Sequence, residues 1–164
     1  MSQRCRSISV LLFVLLAAGC GGSTTPLDMS ADMMPGPCNE LALPTATITI
    51  QQGTGNPPSP LGGSVVDGTY VLTQSTDYSV GDALVGQPTA GQMIIAGGTI
   101  QSVLKDAKGG MVTVDASFTI MGTSLQQTGT CGFAGSFSQG FTATGTMLTL
   151  IQASPPFVDV FTRQ

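Results

Sequence analysis

From Cys38 to the C-terminus, short runs of Val, Ile, Thr, Phe and Tyr alternate with glycine steps, and this punctuation confines the region to β structure. Gly62-Gly63, Gly97-Gly98 and Gly109-Gly110 break the runs, and Gly-Thr steps recur at Gly68, Gly98, Gly122, Gly129 and Gly145. No segment here carries the apolar spacing of an amphipathic helix. The clearest strand is 111–121. Val112, Val114, Ala116, Phe118 and Ile120 fall on one face and Thr113, Asp115, Ser117 and Thr119 on the other, a strict period of two. Val112, Val114, Phe118 and Ile120 are the candidate lining of a β interior, and Asp115 is expected to face solvent. Gly122-Thr123 then suits a tight reversal, because glycine accepts the positive φ of hairpin turns. The returning strand is predicted at 125–131.

An internal echo extends the pattern. Residues 118–125 and 141–148 share Phe, Thr, Gly, Thr and Leu at five of eight places, offset by 23 residues. Both read as strand, glycine turn, strand, which is the unit of an antiparallel meander. Further strands are predicted at 46–51, 69–75, 92–96, 99–105, 147–152 and 158–163, with a long loop at Pro57-Pro58-Ser59-Pro60. About eight to nine strands result, enough to close a small antiparallel barrel and remove its edges. Residues 131–140 read as a glycine-rich loop carrying Phe133 and Phe137. Exposed, those rings would guard a barrel mouth; tucked under the loop, they would anchor it.

The N-terminus has a different character. Arg4 and Arg6 precede an apolar run at 8–18 interrupted only by Ser9, too short to span a bilayer but long enough for the core of an export signal. Leu15-Leu16-Ala17-Ala18-Gly19-Cys20-Gly21 closes it and resembles the lipobox of bacterial lipoproteins. The resemblance implies a signal peptide at 1–19, cleavage before Cys20, and acyl chains on Cys20. Several chains together hold a protein stably at a membrane where one binds marginally. Gly21 in place of aspartate implies, by analogy with enteric lipoproteins, the outer membrane of the cell envelope. Residues 20–37 are then the lipidated cysteine and a Pro/Gly/Ser-rich linker with no packed element. Met29, Met33 and Met34 in that linker lack the histidine or cysteine company of a copper site. Residues 38–164 form one domain.

With Cys5 lost in the signal and Cys20 acylated, Cys38 and Cys131 remain as a pair in an oxidising compartment. A disulfide is the expectation; two separate buried thiols are the alternative. The exported chain keeps nine acidic residues against three basic ones, Lys105, Lys108 and Arg163. Three scattered cations do not neutralise a row of phosphates, so nucleic acid is excluded as a partner.

Gly68-Thr69-Tyr70 opens a strand near the start of the domain, and Arg163 ends the last one. With the glycine-turn hairpins between them, the domain resembles the lipocalin-like β-barrels of exported bacterial proteins. Lipocalins carry Gly-x-Trp on the first strand and an arginine that packs on the tryptophan. The matching residues are Gly68, Tyr70 and Arg163, so the resemblance implies that Tyr70 and Arg163 close the barrel floor. The chain contains no tryptophan and no C-terminal helix pattern, so no lipocalin ligand site is carried over.

Catalytic chemistry finds little support. The chain has no histidine, which excludes Ser-His-Asp and Cys-His arrangements and histidine-based metal centres. Asp77 and Asp82 lie close in sequence, but no sugar-binding platform beyond Tyr78 accompanies them, and solvated acids in a turn are expected. The same acids lack the spacing of a calcium loop. No cofactor, metal or catalytic residue is expected. The expected function is that of a lipid-anchored, non-enzymatic envelope barrel binding a small apolar ligand or an envelope protein. The alternative is a purely structural lipoprotein with a side-chain-filled barrel.

Overall fold

The computed structural model describes residues 38–81, 83–105 and 109–164. The signal segment, Cys20, the linker to Pro37 with its methionines, and Asp82 lie outside the described residues. Within them the chain is all-β, an eight-stranded antiparallel barrel with two short extra strands. The barrel strands are β3 (Gly68–Asp77), β4 (Pro88–Ala96), β5 (Thr99–Lys105), β6 (Met111–Met121), β7 (Ser124–Cys131), β8 (Ser136–Ala143), β9 (Met147–Ala153) and β10 (Pro156–Arg163). Each pairs with the next, and β10 returns to β3 over Phe157↔Asp77 to Arg163↔Tyr70, so no long edge is left open.

The short strands β1 (Ile48–Thr49) and β2 (Gln51–Gln52) stand where one strand was expected at 46–51. The reason is a split seam. β3 and β4 pair directly only from Gly68↔Ile95 to Val71↔Gln92. Beyond that they part, and the chain around Ile50 enters the gap, β1 pairing with β4 and β2 running parallel to β3. Ile50 packs there with Leu84 and Phe157 in a small second core.

The turns at one end are short. Gly97 and Gly98 both have positive φ, +54° and +82°, as a two-residue hairpin between paired Ala96 and Thr99 requires. Gly122, at +62°, makes the expected reversal between Met121 and Ser124. This end is packed solid. Tyr70, Ile95, Leu125, Phe141, Leu148 and Phe161 are each no more than 2 % exposed and form one cluster with Leu72, Met93 and Ile100. The Tyr70 hydroxyl donates to the Val66 carbonyl at 2.6 Å, so burying it leaves no orphan donor. The chain at Gly62 docks on β8 through bonds to the Phe141 carbonyl and the Ala143 amide, both 2.8 Å.

The outer wall is hydroxyl-rich and pairs with itself. Thr73 meets Thr162 at 2.9 Å, Ser124 meets Ser138 at 2.6 Å, and Thr128 meets Ser136 at 2.8 Å, all exposed cross-strand contacts.

The expected disulfide is present. Cys38 and Cys131 are joined across 93 residues with their Cα atoms 5.5 Å apart. The bond pins the start of the domain to the end of β7, and the Cys38 amide donates to Thr113 Oγ1 at 2.8 Å. Beside it, Asn39 Nδ2 donates to Asp115 Oδ1 at 2.7 Å. Asp115 is therefore half-buried beneath this segment rather than simply solvent-facing.

Candidate functional site

The barrel's other end holds a cavity of about 140 Å³. Its floor is Met93, Ile100 and Phe161 from the packed core. Its walls differ in chemistry. The β4–β6 wall is apolar, with Leu104, Val112 and Val114, and Ser102 is its one polar side chain. The β7–β10 wall carries one polar residue per strand, Gln127, Gln139, Gln152 and Asp159, among Leu150, Phe157 and Phe161. Strand alternation puts these four inside. Gln127 shares the face of buried Leu125, Gln139 that of Phe141, Gln152 that of Leu150, and Asp159 stands between inward Phe157 and Phe161.

The β7–β8 loop forms the mouth. The loop expected at 131–140 is shorter, because Ser136–Ala143 is strand β8 and only residues 132–135 turn. Ser-Phe-Ser-Gln alternates correctly for a strand, and its pairing with β7 through Gln127↔Phe137 and Thr128↔Ser136 outweighs the local glycine content. Phe133 folds back over Gly129. A Cβ on Gly129 would run into the Phe133 carbonyl oxygen and come within 2.8 Å of its ring, so glycine there lets residue 133 close over the strand. Phe133 and Phe137 meet edge to face with centroids 5.2 Å apart, and both are half-buried against the cavity. Both rings thus lie in the cavity lining, and Phe133 also packs back on its own loop.

Asp159 is the charged group of the cavity lining. Ser75 Oγ donates to its Oδ1 at 2.6 Å, and that is its one hydrogen bond among the described residues. Burial pushes its carboxyl up from 3.8 to about 6, against the Ser75 hydroxyl, whose bond favours the anion. Among the described residues no basic side chain lines the cavity. Gln127 is 7 % exposed, and neither it nor Gln139 spends its side-chain amide on another described residue.

The residues singled out from sequence divide. Val112 and Val114 line the cavity, whereas Phe118 packs against the closed-end core. Ile120 is 42 % exposed at the closed rim and takes no part in the lining, because its strand runs past the end of the packed interior. Tyr70 is buried at the closed end with Arg163 opposite it in register. The Arg163 side chain lies over Gly68, where a Cβ would come 2.5 Å from Nε. Asp77 was expected in a solvated turn and is instead 1 % exposed at the end of β3. Its Oδ1 accepts the Ser79 amide at 2.7 Å and its Oδ2 has no partner among the described residues. Among those residues no three His, Cys, Asp or Glu side chains converge as a metal site would require.

Asp159 and the glutamines were not picked out from the sequence. The signal was present in Phe157-x-Asp159-x-Phe161, where an acid shares the apolar face of its strand. No family model matches the chain, and comparison with curated proteins and with solved structures returns no match.

Proposed function

We propose that this chain is an exported, lipid-anchored envelope protein whose barrel binds a small molecule by its apolar part and does no chemistry on it. The observation that carries the reading is the uneven filling of the barrel. One half is packed with large side chains, and the other holds about 140 Å³ lined by Leu104, Val112, Val114 and Leu150. An apolar hole of about 150 Å³ takes up benzene, so the ligand's buried part is about the size of one ring or a short branched chain. Val112 and Val114 supply contact area, and Phe133 and Phe137 frame the entrance. Acyl chains on Cys20 hold the protein at the outer membrane, and the linker to Pro37 lets the barrel stand off in water.

The test is the intact mass of the protein extracted from its own membrane, recorded under native and then denaturing conditions. A small molecule lost on denaturation, with acyl chains retained on Cys20, supports the proposal. A bare, acylated barrel supports the structural-lipoprotein alternative. Cleavage at residue 19 without acylation removes the anchor.

A further inference from the structure

The cavity's polar wall narrows the class of ligand, a step that rests on the binding reading above. Asp159 presents a carboxylate among Phe157, Phe161 and Leu150, and among the described residues the Ser75 hydroxyl is its single side-chain donor and no cation lines the cavity. A carboxylate so placed is costly unless it is paired. Gln127 and Gln139, on neighbouring strands, offer amide groups that no other described residue engages, and Gln127 is more than nine-tenths buried. Phe133 and Phe137 bring two aromatic rings to the mouth. Aromatic rings, an anion and amide oxygens are the kinds of group that stabilise a desolvated ammonium, and one cavity lining holds all three. The opposite wall, Leu104, Val112 and Val114, suits a hydrocarbon body.

We propose that the cavity is a site for a small organic amine, its ammonium group on Asp159 and its apolar body against the β4–β6 wall. Anions are disfavoured by Asp159 itself, and a neutral hydrocarbon uses only half of the lining.

The other described groups that face Asp159 are Ser75 and Asp77 on β3, Leu150 and Gln152 on β9, and Phe157 and Phe161 on its own strand. Asp77, diagonal to Asp159 across the β3–β10 pair, is the one further titratable group among them. The test must therefore separate the two acids.

Benzylamine, benzyl alcohol and toluene are titrated calorimetrically into the exported chain carrying Cys20→Ser, which removes acyl chains and detergent as competitors. The measurements are made at pH 7.5 and pH 5, on either side of the Asp159 transition near 6. At pH 7.5 benzylamine is expected to bind at least about tenfold more tightly than benzyl alcohol. That preference is expected to vanish at pH 5 and in Asp159→Asn, and to survive in Asp77→Asn. Benzyl alcohol or toluene binding as well as benzylamine, with no effect of Asp159→Asn or pH, overturns the amine assignment while leaving the cavity reading intact. Loss of the preference in Asp77→Asn but not in Asp159→Asn also overturns it. Failure of all three probes overturns both readings. If Asp159→Asn does not fold, the two pH values decide with the unmodified residue.

Discussion

Asp159 should make the barrel less stable as the pH rises through the mildly acidic range. Its carboxyl titrates near 6 in the folded protein and at an ordinary 3.8 when unfolded, because burial disfavours the anion. The folded state therefore binds the proton more tightly than the unfolded state. The contribution of Asp159 to stability is greatest below 3.8, falls as the pH rises from 3.8 to about 6, and is flat above. The distance between those values corresponds to about 3 kcal/mol. Asp159→Asn keeps a carbonyl oxygen for the Ser75 hydroxyl and removes the charge. Urea unfolding followed by far-ultraviolet circular dichroism at several pH values from 3.5 to 8 compares the two proteins. The difference between them isolates Asp159 from every other carboxylate, Asp77 included. Asp159 is half-buried and faces the cavity, so the variant is expected to match the parent near pH 3.5 and to exceed it at pH 8 by up to about 3 kcal/mol. A variant less stable than the parent at pH 8, or a difference that does not change with pH, would refute the reasoning.

Three further outcomes are expected. Reducing the Cys38–Cys131 bond, or replacing both cysteines with serine, frees a 93-residue loop and should cost about 4–5 kcal/mol in urea unfolding. Phe141→Ala, at a fully buried position of the closed half, should cost about 3–5 kcal/mol by the same assay. Val114→Phe grows into the cavity and should stay within about 1 kcal/mol of the parent while abolishing toluene uptake, whereas Leu125→Phe in the closed half should cost about 1–3 kcal/mol.

The barrel was legible in the sequence because its information is local. The alternation of Val112 to Phe118 and the glycines of the 97–98 and 122–123 turns each state a strand or a reversal within a few residues. The β10–β3 pairing that closes the barrel joins residues as far apart as Tyr70 and Arg163, and only the family resemblance pointed to it. The split seam at Ile50 depends on where β3 and β4 diverge, which no local pattern records. The cavity was half legible. Val112 and Val114 could be placed by alternation, but whether an inward face meets a void depends on side-chain volumes summed across eight strands. Gly91 illustrates this, since a Cβ there would lie 2.5 Å from Leu104 Cδ2; that leucine fills the space from the next strand. Asp159 was missed because acids are read as outward-facing, and here strand parity overrides that habit between two inward phenylalanines. Phe133 cannot be placed without knowing that Gly129 lies beneath it.

Xenon tests the uneven filling of the barrel most directly, because it enters apolar cavities of this size and ignores the polar wall. Crystals of the domain under xenon pressure should show one site among Leu104, Val112, Val114 and Leu150, and none among Leu125, Phe141 and Leu148. An open half closed over by its own side chains, with no xenon between them, would contradict the binding barrel and leave a structural one.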